Sequence, residues 1–421
     1  MSIASSVAKG ISLLKKIASS ESGNVLILFG LSMPLLIGLA GLGTDTVQWT
    51  LMKQQLQRSA DSAALNGAYA KAQSENVSAN ANRDLTKTLD GFSGVGITVQ
   101  NAPTTGAFAG NARAIRVALT YSKALPFSSL FLSNPPTISV EAVAAVLNNG
   151  DYCVVSLINT NQTGIMFLGS SEVTLGCGVA TNSTAAEAIT AGGNCKVRAS
   201  PVAAVGDVPP SGCYLGPTVL VPYSIPQRDP FVSLPDPTND IPTPCKADPD
   251  IKPAETATID PGCYNGLNVQ GTLTMNPGIY YLDGGSFKTG GKTKLTANGV
   301  TIILTGTGTN IGTVDMQGGT NIVMSAPTSG PYKGVLFYMD RNAPFRETAN
   351  KFNGGSSGSF LGAIYMPTQQ LNFAGDASFK TDCLQIVGLI VEISGNTTIT
   401  NNCPVGTASD SFVGTQVRLV G

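Results

Sequence analysis

The 421-residue chain contains no histidine. That absence removes the commonest general base, the Ser/His and Cys/His catalytic pairs, and every metal site built on imidazole. Charge is scarce too: Asp, Glu, Lys and Arg make up 12% of the residues, about half the ~25% usual in globular chains. A formal net charge of −1 and a pI near 5.6 leave no basic face, so no nucleic-acid partner is expected. The eight cysteines, Cys153, Cys177, Cys195, Cys213, Cys245, Cys263, Cys383 and Cys403, never stand in a C-x-x-C spacing. Zinc and thioredoxin-like redox patterns therefore lack their basic element. Disorder is excluded as well, because hydrophobic residues reach 42%. The length allows two or three domains, each with a real core.

What is present begins with an uncharged run. From Val25 to Leu42 the chain reads VLILFGLSMPLLIGLAGL; extended to Thr44 it reaches about 20 residues, enough to cross ~30 Å of hydrocarbon as a helix. Lys9, Lys15 and Lys16 precede it, and a short basic flank favours the cytoplasmic side, which sends Asp45 onward outward. All eight cysteines lie on that far side, which suits disulfides in an oxidising compartment. Eight cysteines allow 105 connectivities, and sequence selects none of them. A cleaved signal peptide is the rival reading, since GLAGLG offers small residues to a peptidase. Against it, the apolar run exceeds the usual ~7–15 residues and helical sequence continues straight past it. Pro34 is expected to kink this helix.

Beyond the run, Trp49, Met52, Leu56, Ser59, Ala63, Gly67 and Ala70 recur at spacings of three and four, one face of a helix. The stripe starts bulky and ends small, so its far end can approach another element closely. A glycine ahead of the apolar span, a proline inside it, an aspartate at its exit and an LQ.AaDaAAL.gA helix follow one another at Gly23, Pro34, Asp45, Leu56, Gln57, Ala60, Asp61, Ala63, Ala64, Leu65, Gly67 and Ala68. Residues 21–70 thereby resemble the N-terminal region of TadG-like proteins of the Flp (Tad) pilus-assembly system.

The resemblance covers a small part of the chain, and Ser59, Ser62 and Asn66 depart from its alanine-like positions. It implies a non-enzymatic accessory of a type IV-like pilus or tight-adherence machine. Such a protein is a single-pass inner-membrane protein with its N-terminus cytoplasmic and its bulk periplasmic. Its partners would be the inner membrane and other pilus-assembly or minor pilin-like proteins; entry into the pilus or display at the cell surface stays open. Some members of the group carry a metal-dependent D-x-S-x-S site, which does not occur after residue 70. Pilin-type processing after Gly23 would need a glutamate at the fifth following position, where Leu28 stands, so an uncleaved anchor is expected.

The rest of the chain divides by composition. We read residues 1–22 as a cytoplasmic tail, 23–44 as the transmembrane anchor, 45–147 as a pilin-like helix plus a small β-sheet, and 148–421 as an all-β distal domain. In the small module AIRVALTY (114–121) and TISVEAVAAV (137–146) alternate apolar and polar residues as half-buried strands do. Between them, Pro126 can open a short helix over PFSSLFL. The distal domain carries strand-length β-branched or aromatic runs separated by Gly, Asn, Thr and Ser. A right-handed parallel β-helix fits these best, with three runs at nearly regular spacing in GVTIILTGTGTNIGTVDMQGGTNIVMS (299–325). A β-sandwich is the alternative; it predicts Asn-Gly hairpins, to which ANGV (297–300) and YNGL (264–267) come close. Between 201 and 261 stand 14 of the 25 prolines, so an excursion over 201–262 is neither regular helix nor central strand. Its cysteines suggest that disulfides pin it to the β-domain.

Chemistry is sparse. Asp340, Arg341, Arg346 and Glu347 form the densest charged group near a strand end, where paired carboxylates could serve a β-helix polysaccharide-active enzyme. Asp236, Asp240, Asp248 and Asp250 could gather a calcium ion, without the spacing of a known loop. Solvated turns account equally well for both groups. No catalytic residue, cofactor site or metal site is assigned. An envelope or surface adhesin that binds a glycan or surface ligand is the second functional reading, and the polysaccharide enzyme the third.

Overall fold

Helix α1 runs unbroken from Ser22 to Ala72 and carries Pro34 within it, in a computed structural model that describes residues 22–239, 241–317, 319–346, 350–353, 357–375, 378–381, 383–401 and 412–421. At about 1.5 Å per residue it is roughly 75 Å long. The chain divides into two units: residues 1–146 together with 417–421, and residues 147–416.

In the first unit, α1 is apolar and exposed along its early turns. Leu31, Leu35 and Leu39 are each at least 60% exposed, and the helix is long and apolar enough to cross a membrane. Its later half is buried: Leu56, Ala60, Ala63, Ala64 and Ala68 have no exposed surface. That half packs on helix α2 (Val77–Thr88), whose N-cap Asn76 side chain accepts the Ala79 N–H. The other support is the antiparallel sheet β1 (Gly96–Asn101), β2 (Ala114–Ser122) and β3 (Thr137–Ser156). The two alternating segments read from sequence are β2 and the first half of β3. At the C-terminus the chain returns beside β3, where Val143 N donates to Gly421 O and Val420 N donates to Val143 O. The short helix anticipated after Pro126 is a three-residue 3₁₀ turn, Ser128–Leu130.

The second unit is built from parallel strands, and consecutive strands fall into three ladders in rotation. One ladder joins 256–259, 272–275, 294–298 and 321–325. A second joins 262–264, 278–283, 300–305 and 335–339, and a third 267–269, 287–289, 314–316 and 350–353. The three runs in 299–325 thus belong to one circuit, a strand in each ladder. The Asn-Gly signals are corners between ladders: Gly299 has φ +69° and Gly266 φ +149°, backbone that suits glycine and here turns the chain onward.

The order of the circuits is not the order of the chain. The strands at 383–393 and 398–401 pair in parallel with those at 152–156, 165–169 and 172–175, through Ile386↔Val154, Val391↔Ile165 and Ile399↔Val173. The chain therefore starts mid-stack, builds to one end near Val221, crosses back through the proline-rich segment, and winds from Lys246 towards its starting point. The second ladder holds a continuous inward column, Tyr280, Ile302, Phe337, Ile364, Ile386, Val154, Val179 and Val202, all buried. Its outward residues, among them Tyr281, Ile303, Tyr338 and Tyr365, are buried too, beneath Phe231, Leu234 and Ile241. Burial on both faces explains the uninterrupted apolar runs VTIILT and VLFYM, whereas the first ladder, with one face in water, alternates along Lys294–Asn298.

Candidate functional site: an aspartate clamp on the apolar helix

Sequence reasoning singled out a row of residues along α1, and the structure gives most of them packing roles. Ala60, Ala63 and Ala64 are buried and Leu65 half-buried. Gly67 shows why small residues are needed: a Cβ there would lie 3.0 Å from Ile115 Cγ2 of β2 and 3.5 Å from Val77 Cγ1 of α2. Gly67→Leu should therefore lower the stability of this unit by about 1–3 kcal/mol through overpacking, seen as a shift in the denaturant midpoint. The polar members of the row tie helix to sheet. Gln57 Nε2 donates to Asp61 Oδ1 at 2.8 Å and to Glu141 O of β3 at 2.9 Å, and Glu141 is paired with Arg116 of β2. Gly23 lies in the first turn of α1, and Pro34 is exposed in its early part.

Asp45 is the exception to packing. It is fully buried, and its Oδ2 accepts the N–H groups of Phe127 at 3.1 Å and Ser128 at 2.5 Å. One carboxylate thus holds the start of the 3₁₀ turn, 82 and 83 residues away in sequence, and its Oδ1 has no hydrogen-bond partner. One helical turn earlier, a Cβ at Gly41 would overlap the Phe127 ring; only glycine lets that ring lie on α1. One turn later, Trp49 lines a groove of about 450 Å³ with Thr50, Lys53 and residues 136–139. Sequence marked Asp45 through its place at the exit of the apolar run, but nothing local marked Phe127 or Gly41.

The described charged groups around residue 340 are committed to structure. Asp340 accepts from Thr305 Oγ1 at 2.9 Å and from Asn342 N at 2.8 Å. Arg346 donates to Ile311 O and Thr309 O; Glu347 lies outside the described residues. Arg341 fastens the proline-rich segment. Its guanidinium donates to Phe231 O at 2.6 Å, Leu234 O at 3.1 Å and Tyr365 Oη at 3.0 Å, and lies 5.5 Å from the ring centres of Tyr338 and Tyr365. Tyr365 in turn donates to Asp229 Oδ2 at 2.7 Å. Burial, then the bond to Asp229, raises the Tyr365 phenol far above its ordinary range, so it stays a neutral donor at any physiological pH, and burial pushes Tyr338 up to about 12. Arg341→Met should cost the second unit about 2 kcal/mol and open 227–241 to proteases, which a urea titration and limited proteolysis can read.

Asp248 and Asp250 are occupied with the Asn268 N–H and side chain, Asp236 caps Thr238, and Asp240 lies outside the described residues. Cys245, Cys263 and Asp283 cluster within 4.8 Å, but the two sulfurs are bonded to each other. The bridges are Cys153–Cys177, Cys195–Cys213 and Cys245–Cys263. Cys383 is also disulfide-bonded, and Cys403 lies outside the described residues. Cys213 and Cys245, both within the excursion read over 201–262, are bonded to Cys195 and Cys263.

Residues 23–71 match the family model described as putative Flp pilus-assembly TadE/G-like. No curated protein and no solved structure matches the chain.

Proposed function

We propose that this chain is a non-enzymatic accessory or structural protein of Flp (Tad) pilus assembly, single-pass in a bacterial inner membrane. Its N-terminus would be cytoplasmic and its bulk periplasmic, where it contacts other pilus-assembly or minor pilin-like proteins. The observation that carries the reading is the match over residues 23–71, which coincides with a helix that is apolar and exposed at one end and packed at the other. The same reading takes 23–44 as the anchor, 45–147 as the pilin-like module and 148–421 as the displayed domain. We read that domain as a parallel β-helix, on the support of its three rotating parallel ladders. Bridged cysteines agree with an oxidising compartment.

Removing the gene in its native host and restoring it on a plasmid tests the role. Loss of surface pili, regained on complementation, is expected. Normal pili with lost attachment would move the function to adhesion, and turnover of a surface glycan by the purified chain would move it to the polysaccharide enzyme. Normal pili with normal attachment would sink the proposal.

A further inference from the structure

We propose that the loop Phe127–Leu132 dips into the bilayer leaflet at the exit end of α1, so that the first unit grips the membrane at two points. The inference rests on the reading of the early part of α1 as a membrane span. The tip of the loop is apolar and in water: Leu130, Phe131 and Leu132 are 75%, 80% and 46% exposed. From Ala124 to Val140 the chain carries no charge at all.

Three contacts fix the level of that tip. β2 begins beside Gly67, which faces Ile115, and the connection leaving its far end reaches Asp45 and then Gly41. β2 therefore runs back along α1 towards the apolar run. On the return, Ile138 at the start of β3 lines the groove of Trp49, eight residues after Gly41 and so about 12 Å further from the span. In the chain the exposed tip stands between these two points, directly after the residues that the clamp holds at Asp45 and Gly41. Gly41 and Leu42 lie in the last turn of the uncharged run, which ends at Thr44, so this level is the edge of the hydrocarbon. At that level α1 presents apolar surface too, with Leu39 and Leu42 60% and 52% exposed. Trp49 and Lys53 stand just beyond, the aromatic and cationic types favoured at the membrane–water interface. The clamp is suited to the task. A loop that enters lipid must keep its backbone N–H groups bonded, and Asp45 supplies the acceptor for two of them.

The test uses the full chain in vesicles whose acyl chains are either ordinary or brominated. Trp49→Phe removes the native fluorophore, and Phe131→Trp, or independently Leu130→Trp, reports on the loop; Leu36→Trp reports on the span. The expected result is a blue-shifted emission at 131 that is lost in brominated lipid and unaffected by iodide in the water. Quenching at 36 with an iodide-accessible, unquenched fluorophore at 131 and 130 would overturn the inference and leave the span standing. Shielding from both quenchers at 131 and 130 would also overturn it, in favour of a protein on the loop. An unquenched fluorophore at 36 would remove the span and the inference with it.

Discussion

Reducing the bridges Cys153–Cys177, Cys195–Cys213 and Cys245–Cys263 should lower the stability of the second unit by roughly 9 kcal/mol, about 3 kcal/mol for each, and loss of the bond at Cys383 adds to it. The estimate follows from the chain entropy of closing separations of 24, 18 and 18 residues, to which the loss is only logarithmically sensitive. Domains of ordinary size are stable by about 5–15 kcal/mol, so the reduced chain would sit near or below the threshold of folding. Two of these bridges are also placed where strand pairing is thinnest. Cys195–Cys213 lies beside the isolated pairing Val197↔Tyr214, and Cys245–Cys263 beside Lys246↔Tyr264. Each therefore holds a terminal circuit that the two hydrogen bonds of an isolated pairing would hold poorly. Paired Cys245→Ala and Cys263→Ala should free the first circuit while leaving the stack from 272 onward intact. Thermal melts with and without reductant, alongside thiol titration to confirm that the bonds are broken, read the first effect. Proteolysis at 245–255 reads the second. An unchanged melt with the thiols titrated as free would show that the ladders alone suffice.

Local patterns in the sequence specified local structure and little beyond it. The alternation in 114–121 and 137–146 is legible because one face of that sheet meets α1 and the other meets water. The stretch 299–325 is legible as three strands for another reason: Gly, Asn and Thr separate its apolar runs at nearly regular spacing. The meeting of 383–401 with 152–175 left no trace, because the pairing Ile386↔Val154 imposes only that both residues be apolar, which every inward position already is. Asn-Gly at 265–266 and 298–299 was ambiguous, because a left-handed corner and a hairpin turn ask for the same glycine. Arg341 shows in the sequence only as charge near a strand end. Its guanidinium is held by carbonyls of a segment more than a hundred residues away, and a long-range acceptor of that kind has no sequence signature. The proline-rich segment itself supplies those carbonyls because prolines leave its backbone outside any ladder, with acceptors to spare.

Replacing Asp45 by alanine should cost the first unit about 3–5 kcal/mol, because it removes an acceptor that makes two charge-assisted bonds and strands two N–H groups. The loss should be local. Leu56, Ala60, Ala63 and Ala64 pack on α2 and the sheet without help from the loop, so the opening of 126–132 becomes easy while α1 stays folded. Hydrogen exchange at the Phe127 and Ser128 amides should accelerate by roughly a hundredfold or more, with the amides of β2 unchanged. Asparagine at 45 should cost less. Its oxygen can take the place of Oδ2, and its NH₂ group would fall where Oδ1 now has no partner, so the change removes charge without removing the acceptor. Gly41→Ala attacks the same clamp from the other side by displacing the Phe127 ring, and should speed exchange at the same two amides. Agreement between these variants would mean that the aspartate at the exit of the apolar run serves as a fastener for a distant loop. Equal exchange in all of them would mean that the loop is held by Leu125 and the ends of β2 and β3, and that Asp45 is buried for another reason.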